Sequence, residues 1–301
     1  MIGALLFPAP DTGHLIPEDP MRNLLKVGLR RLVQTPSRHP VGDRSATVIA
    51  ISAQKGGVGK TTTSVSLASA LARYHHKRVL LIDLDPQGHV ATALRAQIHP
   101  GGATLSSVLR DEGDSEILDA VTTTAIPGLD VTPYDPELTA TEDLLGTRIG
   151  KELILRDKLR VTRSHYDAIV VDCPPNLGNL CVNGLCAADQ VVIPCDPSPL
   201  AVKGVESLVH AISTVAARLN PTVDVLGVLL TRVDARNTTL NEAVVSEIES
   251  TWGGALLPVR IGINTRLAQA QHQGQDVFAY DESCRGARQY RALADLVADH
   301  L

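Results

Sequence analysis

Gln54–Thr63 reads QKGGVGKTTT, the stretch of this chain best suited to chemistry. Three glycines, Gly56, Gly57 and Gly59, allow a backbone that aims successive N–H groups at one point. Lys60 and Thr61 follow at the start of an Ala/Leu-rich helical pattern, SVSLASALARYHH. A helix start adds its positive dipole end and unfilled N–H groups, so this is an anion site suited to phosphates. Lys60 would reach the terminal phosphates, and the Thr61 hydroxyl a Mg²⁺ ion. The strict G-x-x-x-x-G-K-[ST] spacing fails at Gln54. Lys55 adds a second lysine at the loop's mouth, more positive charge than one triphosphate needs. One use is to reach a neighbouring subunit's nucleotide.

Acids stand at two other strand ends. Asp83 and Asp85 close LLIDLDPQG, and Asp172 closes YDAIVVDCPP. Carboxylates beside a triphosphate make sense around a metal or a water. Asp85 also precedes Pro86, the pattern of a helix N-cap followed by proline, and both readings can hold together.

The elements that must place these groups read clearly. Short apolar runs at Thr47–Ser52, Arg78–Asp85, Tyr166–Asp172, Gln190–Pro194 and Val223–Thr231, with ALLPV at Ala255–Val259 as a sixth, alternate with helical patterns at 151–161, 203–219, 240–250 and 287–301. Strands apolar throughout and separated by helices imply an α/β fold, a mostly parallel doubly wound sheet with helices on both faces. Ala96–Gly150 is less regular and reads as helices inserted at the sheet's edge. Residues 46–301 form the expected domain. Residues 1–45 carry six prolines and read as a flexible leader, with a short basic amphipathic helix at Met21–Val33.

Composition bounds the rest. The 301 residues are 44% hydrophobic and 20% charged, with a net charge of −5, so any nucleic-acid contact must come from a local patch. Aromatics at 3% argue against a base-stacking single-strand binder. Met1–Pro10 lacks a basic start and is broken by prolines, so it does not read as a signal peptide. No apolar run is long enough to span a membrane. Five cysteines without a CxxC pair suggest a reduced cytoplasmic compartment.

Together KGGVGKTTT, LLIDLDPQG and YDAIVVDCPPNLG, in that order, resemble the ParA/Soj partition ATPases of the deviant Walker A class, a branch of the P-loop NTPases. The likeness runs from about Val48 to the C-terminus, with weaker echoes at Ile263–Gly274 and Tyr280–Arg288. It implies an ATP- and Mg²⁺-dependent homodimer hydrolysing ATP at a weak intrinsic rate. Lys55 and Asp85 would be catalytic, with Lys55 serving the partner's nucleotide and Asp85 placing the attacking water. Gly56, Gly57, Val58, Gly59, Lys60, Thr61 and Thr62 would bind the phosphates. Thr231, Arg232 and Asp234 with the segment near Pro258 to Ile263 would hold the adenine. Thr61, Asp83 and Asp172 would serve the metal. Asn176 stands where family members often carry a small hydroxyl residue. Thr231-Arg232-x-Asp234 lacks the Asn and Lys of a guanine-reading N-K-x-D, which favours ATP over GTP.

Three functions fit such an engine. A partition ATPase would bind double-stranded DNA non-specifically, be stimulated by a ParB-like protein, and act in the cytoplasm on the nucleoid. Arg285, Arg288 and Arg291, at helical i, i+3, i+6 spacing, with Arg260 and Arg266, are its DNA candidates, and Arg232 and Arg236 extend the set. A MinD-like membrane-cycling ATPase needs a basic amphipathic end, whereas RALADLVADHL carries Asp295 and Asp299, so a membrane partner is not expected. An iron–sulfur reductase of the nitrogenase iron-protein type would need cysteines bridging a dimer axis, with Cys173 to Cys195 as candidates. The first reading is the one adopted.

Overall fold

The computed structural model describes residues 39–234, 236, 238–252 and 254–301. The leader up to residue 38, with its expected helix at Met21–Val33, lies outside them. Residues just before the first strand lie on the domain: Gly42 N donates to Ser164 Oγ at 2.8 Å and Arg44 N to Ser164 O at 3.0 Å.

In chain order the strands are β1 (Thr47–Ile51), β2 (Val79–Asp83), β3 (Thr122–Thr123), β4 (Leu129–Val131), β5 (Ala168–Asp172), β6 (Gln190–Cys195), β7 (Asp224–Val233) and β8 (Leu256–Gly262). They form one eight-stranded sheet, ordered β3-β4-β2-β5-β1-β6-β7-β8, in which every pairing is parallel except β3 with β4.

Strand alternation builds two cores. Val48, Ala50, Leu80, Ile82, Ile169 and Val171 face one side. Ile49, Ile51, Val79, Leu81, Ala168 and Val170 face the other. All twelve are completely buried, which is why these strands read as unbroken apolar runs. The first side is covered by α3 (Leu105–Arg110), α4 (Leu138–Leu145), α5 (Ile154–Lys158), α6 (Asn179–Ala187), α7 (Pro199–Arg218) and α8 (Thr238–Trp252). The second is covered by α1 (Lys60–His75), α2 (His89–Ala93), α9 (Thr265–Gln273), α10 (Val277–Asp281) and α11 (Arg285–Ala298). Each fully buried Leu or Ile contributes about 1.5–3 kcal/mol, so the central strands fix the frame that carries the loops.

Three sequence expectations change. Ala96–Gly150 does not only add helices; it supplies β3 and β4, too short for periodicity to reveal. The helix expected over 151–161 is broken into a 3₁₀ turn at Lys151–Leu153 and the five-residue α5. The sixth strand begins at Leu256 and runs on to Gly262, beyond the expected end at Val259.

Candidate functional site

Parallel strands present their C-terminal ends on one edge of the sheet, where ligands of such folds bind. Register places Ile51, Asp83 and Asp172 level there, because Asp172 is paired with both Ile51 and Asp83. The loop after β1 therefore meets two carboxylates.

That loop turns through Gly57 at φ 76° and Gly59 at φ 89°, a region costly for a residue with a Cβ. Gly59 is the N-cap of α1 and offers no side-chain cap, and the first turn of α1 carries no acid. Its leading N–H groups and dipole are left for an anion. Lys60 is buried, and its Nζ donates to Lys55 O at 3.2 Å. Burial holds its pKa below the ordinary lysine value, with Asp172 and Asp85 opposing that shift.

On the β2/β5 flank, Asp172 is fully buried and accepts the Thr61 hydroxyl at 2.7 Å and the Ser64 hydroxyl at 2.8 Å. Burial pushes its carboxyl up to about 6, against the pull of those two donors. Asp83 is held well above the usual carboxylate range, first by burial and then by Asp172. Its oxygens accept from Asp85 N at 3.0 Å and Val90 N at 3.1 Å, so it braces the loop after β2. Asp85 behaves differently. It lines a cavity of about 550 Å³ with Gly57, Lys60 and Thr61. Its Oδ1 accepts from Gln87 N at 3.0 Å, and its Oδ2 lies 3.9 Å from His89 Nδ1. The Asp85 carboxylate thus closes a local turn. The helix after it starts at His89 with Gly88 as N-cap, so the capping role read from Asp85-Pro86 is not found.

On the β6/β7 flank, Lys55 Nζ donates to Asp196 Oδ2 at 2.7 Å and Ser198 Oγ at 3.1 Å within the same chain. Thr231 Oγ1 donates to Val58 O at 2.6 Å and Arg232 Nη1 to Gly57 O at 2.9 Å. Thr231 and Arg232 line the cavity. Pro258 does not. It is exposed within β8, and Ile261, Gly262, Ile263 and Asn264 at the strand's true end form the wall instead. Asp234 is also drawn elsewhere: its carboxylate accepts the Arg236 guanidinium at 2.8 and 2.9 Å.

Sequence reasoning missed several lining residues. Leu267 and Gln271 stand on α9, and Gln271 Nε2 donates to the Thr62 hydroxyl at 2.8 Å. Buried Tyr290 on α11 lines the same cavity, its hydroxyl 3.1 Å from that of Thr63. The Ile263–Gly274 echo marked the first group; nothing in the sequence marked Tyr290.

The expected DNA residues divide between exposed positions and ones engaged in contacts of their own. Arg285, Arg288 and Arg291 are exposed on α11. The Arg291 guanidinium lies over the Tyr74 ring at 4.3 Å, and Arg285 packs over the Gly262 backbone. Arg266 Nε pairs with Asp281 at 3.3 Å. Arg260 is exposed on β8. Arg232 and Arg236 are committed to Gly57 and Asp234. Cys173, Cys181, Cys186 and Cys195 are buried as free thiols, the placement of small core residues.

The residues fit Mg²⁺: hydroxyl and carboxylate oxygens beside a buried acid whose charge lacks full compensation. Among the described residues no group of three or more His, Cys, Asp or Glu could hold a metal ion. Among those residues, too, no helix is long and apolar enough to cross a membrane.

Comparison with known proteins agrees with this geometry. A family model described as an AAA domain matches residues 46–225. The chromosome partitioning protein ParA of Caulobacter vibrioides is 40% identical over 249 residues, covering 82% of this chain and 92% of that one. The sporulation initiation inhibitor protein Soj of Bacillus subtilis is 39% identical over 251 residues, covering 83% and 98%. A crystal structure of cobyrinic acid a,c-diamide synthase from Mycobacterium smegmatis, with bound ADP and magnesium, superposes with a TM-score of 0.71 at 32% identity, covering 85% of this chain and 95% of that one. With the loop, the two acidic strand ends and these likenesses in agreement, the chain belongs to the ParA/Soj family of partition ATPases.

Proposed function

We propose that this chain is an ATP-dependent molecular switch for chromosome or plasmid partition, or for placing a cargo on the nucleoid. It binds ATP, dimerises, holds duplex DNA non-specifically, and is reset by hydrolysis that a ParB-like partner accelerates. The observation that carries this reading is the convergence of Lys60, Thr61 and Asp85 on one cavity.

Each residue has a task in ATP + water → ADP + phosphate. Lys60 and the N–H groups of the loop neutralise the terminal phosphates. Asp85 accepts a hydrogen bond from the attacking water and turns its lone pair toward the γ-phosphorus. The new P–O bond forms as the bond to the β–γ bridging oxygen breaks, and the water's protons pass to the released phosphate. Thr61 and Asp172, with Asp83 behind them, would hold Mg²⁺, which would supply charge neutralisation to the phosphates. Lys55 completes the site from the other subunit. In the single chain it is paired with Asp196, so engaging a partner's nucleotide requires that pair to open.

DNA contact is assigned to Arg285, Arg288 and Arg291 with Arg260 and Arg266, doubled by the dimer. The weak intrinsic rate follows from the need for a second subunit, and cytoplasmic, nucleoid-bound action from the DNA contact.

The test is ATPase rate and light-scattering mass with ATP, alone, with duplex DNA, and with lipid vesicles. ATP-driven dimers that cosediment with DNA, less so as salt rises, support the reading. Monomeric full-rate hydrolysis refutes it, and vesicle binding in place of DNA moves the chain to the membrane-cycling class.

A further inference from the structure

Arg232 carries φ 53°, one of two non-glycine residues with a left-handed backbone among those described. The other, His76, is the C-cap of α1, an ordinary place for that conformation. Arg232 lies inside β7, where its Cβ crowds its own backbone. The pairing of β7 with β8 is irregular between Leu230 and Val233, so the strand bends there.

The bend changes what the strand can reach. Consecutive side chains of a regular strand point to opposite faces. Here Thr231 and Arg232 both reach the phosphate loop, on the carbonyls of Val58 and Gly57 respectively. Among the described residues, that is the one hydrogen bond of the Arg232 guanidinium. A trans peptide whose C=O is held on one side points its N–H to the other. Fastening these two carbonyls therefore fixes the N–H groups of Val58 and Gly59 away from β7. Gly57 and Gly59, both at positive φ, would otherwise be the loop's most mobile joints.

We propose that Arg232 is a positioning residue. Its strained backbone aims a guanidinium strap at Gly57 O, and the strap presets the phosphate loop for ATP. This rests on ATP binding at the cavity but assigns Arg232 an action through the loop, not through the base. Strain that persists at a ligand clamp is the usual sign of such a role.

The test compares the full chain with Arg232→Gly, Arg232→Lys and Lys60→Ala, by calorimetric titration with ATP and magnesium, steady-state ATPase, and melting without nucleotide. Glycine suits φ 53°, so Arg232→Gly melts at or above the parent temperature. It nevertheless binds ATP about tenfold more weakly, the size of one lost hydrogen bond to a charged donor. Its KM rises by the same factor while kcat holds, because a preset loop favours ground and transition states alike. Arg232→Lys, with one donor in reach, recovers part of the affinity. A glycine variant that binds ATP as tightly as the parent, or that loses melting temperature and affinity together, overturns the proposal. If the parent itself binds no better than Lys60→Ala, it is the ATP-binding premise that falls.

Discussion

The two flanks of the phosphate loop are built on opposite principles. On the β2/β5 side, Asp83, Asp85 and Asp172 are 4%, 6% and 0% exposed, and buried Lys60 is the cation among them. On the β6/β7 side, Lys55 is 40% exposed and meets Asp196 in a pair open to water. The first flank holds charge that burial disfavours and that a cation would relieve. The second holds charge already neutralised at little cost, since an exposed pair contributes about 0–1 kcal/mol. Buried charge on one flank next to a Lys55–Asp196 pair that can let go on the other is what a binding switch needs.

The largest effect separating the flanks is that of Lys60→Ala. A buried charged donor to phosphate removed from a preorganised site costs roughly 3 kcal/mol, about a hundredfold in ATP affinity, measured by equilibrium titration. Lys55→Ala should leave monomer affinity near the parent value while abolishing turnover and ATP-driven dimers. Equal losses of affinity in both variants would erase the distinction.

Next comes Asp172→Asn, which should stabilise the nucleotide-free protein and abolish magnesium-dependent turnover. The sign follows from the direction of the shift. In the fold the carboxyl sits at about 6, above its ordinary 3.8, so ionisation opposes folding. That opposition is absent below the ordinary value, grows as pH rises through this window, and is complete above 6. A displacement of about two units corresponds to roughly 3 kcal/mol, and asparagine, able to keep only part of the Thr61 and Ser64 contacts, should recover about 1–3 kcal/mol of it. Relief of Asp83 acts in the same direction. Urea unfolding should show the variant ahead at pH 7.5 and the gap narrowing at pH 5. A variant less stable at both values would mean that the hydroxyl contacts outweigh the buried charge.

How much of this could be read from residues alone follows the same division. The glycine turn, Lys60, Thr61 and the strand-end acids are local patterns, and their strands are apolar enough to announce themselves. The sheet frame is therefore legible from Thr47 onward except at β3 and β4, which are too short to show a period. Pro258 was misplaced because β8 continues through Arg260 to Gly262, and a polar residue within a short run reads as its end. Asp85 and Asp83 look alike in sequence; that both oxygens of Asp83 but only one of Asp85 accept backbone N–H groups depends on how the chain turns at Gly88. Gln271 and Tyr290 reach the cavity only through the packing of α9 and α11 on α1, and Lys55–Asp196 joins positions 141 residues apart. No spacing rule reports such meetings.

The smallest effect is the sharpest probe of the movable flank. Asp196→Ala removes the partner that holds Lys55 within its own chain. Stability should change by under about 1 kcal/mol, as for other half-exposed pairs. The consequence for assembly has the opposite sign. A lysine no longer held in place is available to a second subunit, so ATP-driven dimers should form at lower concentration, by up to about fivefold per subunit for a 1 kcal/mol pair. Sedimentation across a concentration series with ATP and magnesium measures it, with ADP as the reference state. A dimer weakened by Asp196→Ala would mean that Asp196 orients Lys55 for its task in place of restraining it, and the contrast between the flanks would then lie in geometry alone.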